Sequence, residues 1–287
     1  RETGGNRYLK LPERVCLTSD LGAALESAQL VVISISAQEL RALARCIQAY
    51  PVAGKTFILC MKGLECGTGD RLTQVFRSEV TQPVSVAVWV GPGHVEDFTA
   101  GVPNCMVVDS DDRTVVDFSV ETMSTHLIRL YKGGDLVGTE VGAAAKNVIG
   151  IAAGMLDGFG LTTLKGALMS RGTREIARLI AAMGGNELSA YGLCHLGDYE
   201  ATVFSKFSHN RQFGESFIRG EDYGQLAEGY YTVKALVELS EKEEKSRKSA
   251  ANAEQKVRRC KELIKAIQHA NEAFGTDDQE VGDLEKL

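Results

Sequence analysis

Short runs of apolar residues alternate with helical patterns between residues 15 and 110. Four of these runs are typical of buried strands: LVVISIS (30–36), TFILCMKG (56–63), VSVAVWVGPG (84–93) and NCMVVDS (104–110). A helix is predicted from about Gln38 to Cys46, and the spacing of Ser36 and Glu39 matches a capping box at its start. Strands interleaved with helices predict a mostly parallel, doubly wound α/β sheet.

Ligands of such sheets bind at the carboxyl ends of the strands. Three loops fall there, at residues 34–38, 62–65 and 91–96. In the last of them, GPGHVEDF, two glycines around a proline permit close backbone approach to a ligand, and Val95 would begin a helix whose amides attract anions. The alternative is an ordinary strand-to-helix turn, in which His94 is a turn residue and not a catalyst.

The pattern changes after Asp135, and from Gly138 to about Ser240 it is helical throughout. We therefore predict two domains, an α/β domain over residues 1–138 and an all-α domain over residues 139–287. The charged tail has apolar positions on one helical face, which predicts an amphipathic helix that either is solvated or packs on the body. These positions are Val257, Cys260, Ile264, Ile267 and Phe274.

The composition excludes several classes of protein. Of the 287 residues, 44% are hydrophobic and 24% are charged, which is a globular balance. A net charge of −6 argues against nucleic-acid binding, although a local cationic pocket could still hold a small anion. No uncharged apolar run of eighteen residues and no signal peptide occurs, so we expect no membrane insertion.

Seven scattered cysteines without a C-x-x-C pair indicate reduced thiols in a cytoplasmic protein. The five histidines lack the spacing of metal ligands, so we expect no metal site. The chain begins with RETGGNRYLKLPERV, without an initiator methionine, which suggests that an opening segment is absent.

Lys146 and Asn147 lie within a segment made largely of glycine and alanine, VGAAAKNVIGIAAG. Small side chains let helices pack closely, so the lysine is expected to be partly buried, unless its flexible stem carries the charge out to water. A desolvated lysine near another cation has a pKa lowered to roughly 7–8, which suits proton transfer from an alcohol. Lys146 is thus a candidate general base or acid.

Two other segments carry candidate chemistry. Lys62 directly follows a predicted strand in CMKGLE, where it either meets a ligand or lies in solvent. In HLGDYEATVFSKFSHNRQFG, Asp198 and Thr202 are four residues apart and share a helical face. Residues 208–211 add hydrogen-bond donors of the kind that hold a phosphate ester, the alternative being a polar helix terminus.

These motifs, in their order and spacing, resemble the soluble, bacterial-type NAD(P)-dependent glycerol-3-phosphate dehydrogenases. The resemblance covers roughly residues 6–239 and rests on NRYLKLPE, VVISISAQELR, CMKGLE, GPGHVED, DLVGTEVGAAAKNVIGIAAGMLDGFG, LMSRG, LGDYEATVFS, SHNRQFG and LAEGYYTVKAL. It implies an N-terminally truncated Rossmann-type domain followed by a helical substrate domain of the 6-phosphogluconate-dehydrogenase-like type. It also implies a homodimer that interconverts sn-glycerol 3-phosphate and dihydroxyacetone phosphate with NAD or NADP, feeding phospholipid synthesis.

The resemblance assigns roles to individual residues. It makes Lys146 the proton acceptor for the C2 hydroxyl of glycerol. The implied substrate-binding residues are Lys62, Gly91, Gly93, Asn147, Asp198, Thr202, Ser208, His209 and Asn210. The implied cofactor-binding residues are Lys62, Val95, His209, Leu226 and Glu228.

The sequence departs from the family pattern at two places that concern the cofactor. The glycine-rich turn G-x-G-x-x-G does not occur, and His209 stands where the family usually has arginine. These departures keep two alternatives open: a non-catalytic phosphometabolite-binding relative that has lost its nucleotide cradle, and a related two-domain hydroxy-acid dehydrogenase.

Overall fold

A computed structural model describes residues 11–93 and 95–246. The chain divides into two compact units, residues 1–236 and residues 237–287, and only the end of one helix is described in the second unit. The amphipathic helix predicted between Val257 and Phe274, like His94, lies outside the described residues.

Five strands form one sheet in the order in which they occur along the chain. They are β1 (Leu30–Ile33), β2 (Thr56–Leu59), β3 (Ser85–Val90), β4 (Asn104–Asp109) and β5 (Ile128–Lys132). Three of the four pairings are parallel, and β3 pairs with β4 antiparallel. The carboxyl ends of β1, β2 and β3 therefore meet at one edge of the sheet, which is the arrangement that the three candidate loops require.

Nine α-helices are present in the described residues. They are α1 (Leu21–Glu26), α2 (Leu40–Gln48), α3 (Leu72–Glu79), α4 (Val95–Thr99), α5 (Arg113–Met123), α6 (Leu136–Gly158), α7 (Lys165–Ala182), α8 (His209–Ile218) and α9 (Glu228–Ser246). No strand occurs in the described residues after β5, so the predicted change from α/β to all-α structure is confirmed. The exact boundary between two domains stays a prediction.

Alternating residues of β2 show why helices cover both faces of the sheet. Phe57 and Leu59 belong to an apolar cluster with residues of α2 and α3 on one face. Ile58 points the other way, into a second cluster that includes Val115 of α5. Successive side chains of a strand point to opposite faces, so a continuous apolar run needs cover on both sides.

Two local predictions were wrong or incomplete. Ser36 makes no side-chain capping bond, and the chain instead enters α2 through a single 3₁₀ turn, Ala37–Glu39. β5 was not predicted because its sequence, IRLYK, has polar residues at alternate positions, as expected of a strand at the edge of the sheet.

The helix α6 is the centre of the second half of the fold. It is long and apolar enough to resemble a membrane span. However, 72% of its most apolar stretch is buried inside the protein, as in a core helix. Its glycines allow this burial: a side chain at Gly154 would overlap the backbone carbonyl of Arg211, and one at Gly150 would meet Thr202 and Asn210. The glycine and alanine positions therefore let α8 lie directly against α6.

Candidate active site

Lys146 is buried on α6 and points toward a second polar segment. The side chain of Asp135 caps the helix, which then runs without interruption past the lysine. Lys146 is only 5% exposed, so its stem does not carry the charge to water. Its Nζ donates to the Thr202 hydroxyl at 2.6 Å and lies 2.9 Å from Asp198 Oδ2.

The environment of Lys146 changes its protonation. Burial lowers its pKa from 10.5 to about 8, because the ammonium loses its hydration. The carboxylate of Asp198 opposes this effect and the nearby charge of Lys62 adds to it. A lysine with this pKa can both accept and donate a proton near neutral pH, as a general base or acid must.

Lys62 joins the same cluster from the end of β2. Its Nζ donates to Asp198 Oδ2 and to the carbonyl of Gly91, both at 2.7 Å. The carbonyl of Lys62 accepts a bond from Asn147 Nδ2 at 3.1 Å, which ties this loop to α6. One carboxylate oxygen thus bridges two lysines, one at the sheet edge and one on the central helix.

Asp198 and Thr202 are presented by irregular helical turns. Asp198 ends a 3₁₀ turn, Leu196–Asp198, and Thr202 lies in a π-helical turn, Glu200–Phe204. The two side chains are 1% and 2% exposed and contact the same Nζ, so the predicted shared face is confirmed. Isolated π turns are frequent at functional sites, since they redirect side chains out of the regular helical register.

The start of α8 borders this cluster. The hydroxyl of Ser208 accepts the Arg211 amide at 3.3 Å and so caps the helix. Asn210 Oδ1 accepts the amide of Gly229 at 2.8 Å, and a side chain at Gly229 would meet the carbonyl of Asn147. Asn147 and Asn210 therefore both approach the start of α9 at Gly229.

Glu228 is half-buried and brings its carboxylate to the edge of the sheet. Its Oε1 accepts the amide of Ala37 at 3.3 Å, whereas its Oε2 is buried and has no hydrogen-bond partner among the described residues. A side chain at Gly63 would lie 3.8 Å from Oε2, which places this oxygen beside the loop that follows β2. Burial raises the pKa of Glu228, and the Ala37 amide and the Ser36 hydroxyl oppose the shift.

The backbone conformation of Gly91, which directly follows β3, explains why glycine occurs at this position. Gly91 has a φ of 135°, a region that favours glycine, and a side chain there would lie 3.0 Å from the Cα of Met106. This conformation turns the chain after β3 and directs the Gly91 carbonyl at Lys62.

Val95, His209 and Leu226 lie apart from the hydrogen bonds of the lysine cluster, whereas the Gly93 amide donates to the Gly91 carbonyl at 3.0 Å. Gly93 packs beside Met106 and Phe98, and Val95, at the start of α4, is exposed. Leu226 is also exposed, and His209 Nδ1 lies 2.6 Å from the hydroxyl of Tyr223. Within residues 11–93 and 95–246 no group of three metal-ligating side chains is present, and the six described cysteines form no disulfide with one another.

Two residues beside the cluster were not predicted as part of a site. His195 and Tyr199 are fully buried, and the hydroxyl of Tyr199 lies 2.7 Å from His195 Nε2. Their spacing of four residues is the only sequence signal that could have paired them.

Comparisons with known proteins agree on one family. The models for the NAD-dependent glycerol-3-phosphate dehydrogenase N-terminus and C-terminus match residues 3–116 and 135–268. A glycerol-3-phosphate dehydrogenase (NAD(P)+) of Moorella thermoacetica is 37% identical over 252 residues, which are 84% of this chain and 75% of the relative. One of Chlorobium luteolum is 34% identical, over 83% of this chain and 76% of the relative.

A solved structure supports the same likeness. The crystal structure of glycerol-3-phosphate dehydrogenase from Coxiella burnetii superimposes with a TM-score of 0.78 at 28% identity. The match covers 83% of this chain and 75% of that one, so it includes both the sheet and the helical half.

Proposed function

The chain belongs to the NAD-dependent glycerol-3-phosphate dehydrogenase family, and we propose that it interconverts sn-glycerol 3-phosphate and dihydroxyacetone phosphate with Lys146 as general base and acid. The observation that carries the role of this lysine is its burial in contact with Asp198 and Thr202. A base in this position needs a pKa near the working pH, which burial provides here.

The residues at the sheet edge fit a nicotinamide cofactor. Glu228 Oε2 is a buried acceptor without a hydrogen-bond partner in the described part of the chain, and a ligand carrying N–H or O–H donors would satisfy it. Glu228 and Lys62 would hold the nicotinamide end, and the exposed Val95, His209 and Leu226 would contact more distant parts of the cofactor. NAD or NADP, when bound, supplies the hydride acceptor for oxidation and the hydride donor for reduction.

In the oxidation direction, neutral Lys146 accepts the proton of the C2 hydroxyl at its Nζ. In the reduction direction, the Lys146 ammonium returns a proton to the same oxygen. Asp198 and Thr202 hold this Nζ at 2.9 and 2.6 Å, which leaves one hydrogen-bonding position of the amine for the substrate. Lys62 stabilises negative charge that develops on the C2 oxygen.

The start of α8 would hold the phosphate. The amides of its first turn, the Ser208 hydroxyl, His209 and Asn210 supply donors, and helix amides favour an anion. Gly91, Gly93 and Asn147 would line the glycerol portion.

We further propose a cytoplasmic homodimer that supplies glycerol 3-phosphate for phospholipid synthesis. The two domains would meet between residues 138 and 139, in the first turn of α6, just after the short connection from β5. These assignments rest on the family alone.

Turnover tests the function directly. Absorbance at 340 nm would follow the reduction of NAD or NADP with glycerol 3-phosphate, and the reverse reaction with dihydroxyacetone phosphate. Replacing Lys146 by methionine keeps the length of the stem and removes the proton-transfer group, so kcat should fall by about three orders of magnitude or more.

The matched control is Lys234→Met, because Lys234 lies on α9 and contacts the ring of Tyr230 instead of the cluster. This variant should keep wild-type kcat. Near-normal turnover by Lys146→Met would contradict the role of the lysine. Turnover with another hydroxy acid instead of glycerol 3-phosphate would favour a related dehydrogenase, and a failure to bind cofactor would favour the non-catalytic alternative.

A further inference from the structure

His195 is a fully buried titratable group that the proposed reaction does not use. Its Nδ1 lies 2.9 Å from the carbonyl of Gly142, and its Nε2 lies 2.7 Å from the hydroxyl of Tyr199. A carbonyl can only accept, so Nδ1 carries the hydrogen and Nε2 accepts from Tyr199. These two partners hold His195 as one neutral tautomer.

The attachment point on α6 is one turn before the candidate base. In a continuous α-helix the amide of Lys146 donates to the carbonyl of Gly142, so His195 binds the carbonyl that already closes the turn leading to Lys146. A side chain at Gly142 would lie 3.2 Å from the Cβ of His195, and glycine therefore permits this close approach.

Tyr199 fixes the other end of the segment formed by residues 195–199. Its ring is fully buried against Ala153 and Val203, and a side chain at Gly172 of α7 would lie 3.3 Å from its hydroxyl. The segment is thus attached to α6 through His195 and packed between α6 and α7 through Tyr199. Asp198 lies between these two anchors.

We propose that His195 and Tyr199 are positioning residues, which hold the Asp198 carboxylate against Lys146 and so determine the pH range in which Lys146 exchanges protons. This inference rests on the proposed role of Lys146.

The charged and titratable groups around this contact give the direction of the effect. Lys62 and Lys146 face Asp198, while burial raises the pKa of Cys194 and of Tyr199 to about 12, which keeps both groups neutral. Burial also lowers the pKa of His195 to about 4, so it carries no charge at neutral pH. The carboxylate of Asp198 is the group that favours protonated Lys146. If its contact with Lys146 weakens, burial and Lys62 lower the pKa of Lys146 further.

Two variants of the full chain test the proposal. Tyr199→Phe removes the donor to Nε2 without opening a cavity, and His195→Asn keeps an N–H donor near the position of Nδ1. For both, we expect the midpoint of the kcat–pH profile for glycerol 3-phosphate oxidation to fall by about half a pH unit or more. KM should change less than about twofold, since the substrate contacts remain.

Ser119→Ala is the matched control. It removes one buried side-chain hydrogen bond, from Ser119 to the carbonyl of Val115 on α5, away from the cluster. Its midpoint should equal that of the wild type. The positioning role is wrong if Tyr199→Phe lowers kcat at every pH but leaves the midpoint unchanged. It is also wrong if the variant raises the midpoint.

A spectroscopic measurement keeps this test separate from the proposed reaction. The ¹³Cε resonance of Lys146 in lysine-labelled protein, assigned by its loss in Lys146→Met, reports the titration of the amine without turnover. Its midpoint should shift downward in both variants. Absence of wild-type turnover would contradict the proposed function, whereas an unshifted resonance in the variants would contradict only the positioning role.

Discussion

At the scale of single residues, the proposed role of Lys146 makes one buried amine the source of the pH dependence of the reaction. Lys146 has a pKa of about 8 in the folded protein, so at neutral pH most molecules carry it as the ammonium. In the proposed mechanism, the ammonium is the acid that reduction needs and the neutral amine is the base that oxidation needs. We therefore expect neutral pH to favour the reduction of dihydroxyacetone phosphate.

We expect opposite pH profiles in the two directions. With saturating substrates, kcat for glycerol 3-phosphate oxidation should rise with pH through about 8, as Lys146 loses its proton, and kcat for reduction should fall over the same range. Initial rates in both directions between about pH 6 and 11 would measure this. A single oxidation midpoint near the ordinary lysine value of 10.5 would show that Lys146 is not the titrating group.

The sequence indicated the type and position of these residues but not their contacts. Lys146 could be identified because small residues surround it, and Lys62 because it follows a strand. That one oxygen of Asp198 bridges both amines depends on a contact between residues 62 and 198, which no local pattern contains. His195 and Tyr199 were missed because a buried histidine in a polar segment has no characteristic neighbours in sequence.

At the scale of the elements, the packing of α6 against α8 brings the helix that carries Lys146 next to the helix whose start carries residues 208–210. Gly154 of α6 contacts the backbone of α8 at Arg211, and Gly214 of α8 contacts the backbone of α6 at Ile151. These reciprocal contacts leave no room for a Cβ. The glycines in this part of α6 are therefore explained by packing, and their effect on the lysine is indirect.

Gly154→Ala should destabilise the protein by about 3 kcal/mol or more, because the new methyl group overlaps backbone that cannot move without separating the helices. Gly166→Ala is its matched control: Gly166 is an exposed helical glycine on α7 with nothing within 4 Å of its Cβ position. That variant should gain up to about 1 kcal/mol from helix propensity. Urea denaturation would compare them, and equal stability of the two variants would contradict the close contact.

At the scale of the whole of residues 11–236, two buried carboxylates join the sheet to the helical half. Asp109 at the end of β4 accepts the Thr139 hydroxyl at 2.7 Å and the Asp135 amide at 3.1 Å. Glu140 of α6 accepts the amide and hydroxyl of Thr73 on α3 and pairs with Arg71. The start of α6 is thereby bound to elements on the sheet side at two points.

Glu140→Ala should lower the free energy of unfolding by about 3 kcal/mol, since it removes a cap from α3 and leaves Arg71 without its partner. Glu121→Ala, at an exposed position of α5, should change stability by less than about 0.5 kcal/mol. Chemical denaturation followed by circular dichroism would measure both. If Glu140→Ala unfolds at the wild-type urea concentration, this buried pair does not join the two halves.

The sequence by itself determined the succession of elements, the change from α/β to all-α structure and the identity of the candidate base, because these follow from local periodicity and from short motifs. Only the tertiary structure decided the antiparallel pairing of β3 with β4, the edge strand β5, and the attachment of His195 to Gly142. The physical reason is separation along the sequence, because strand pairing and buried ion pairs join groups that are far apart in the chain. Their energy depends on distance and desolvation, which exist only once the chain has folded.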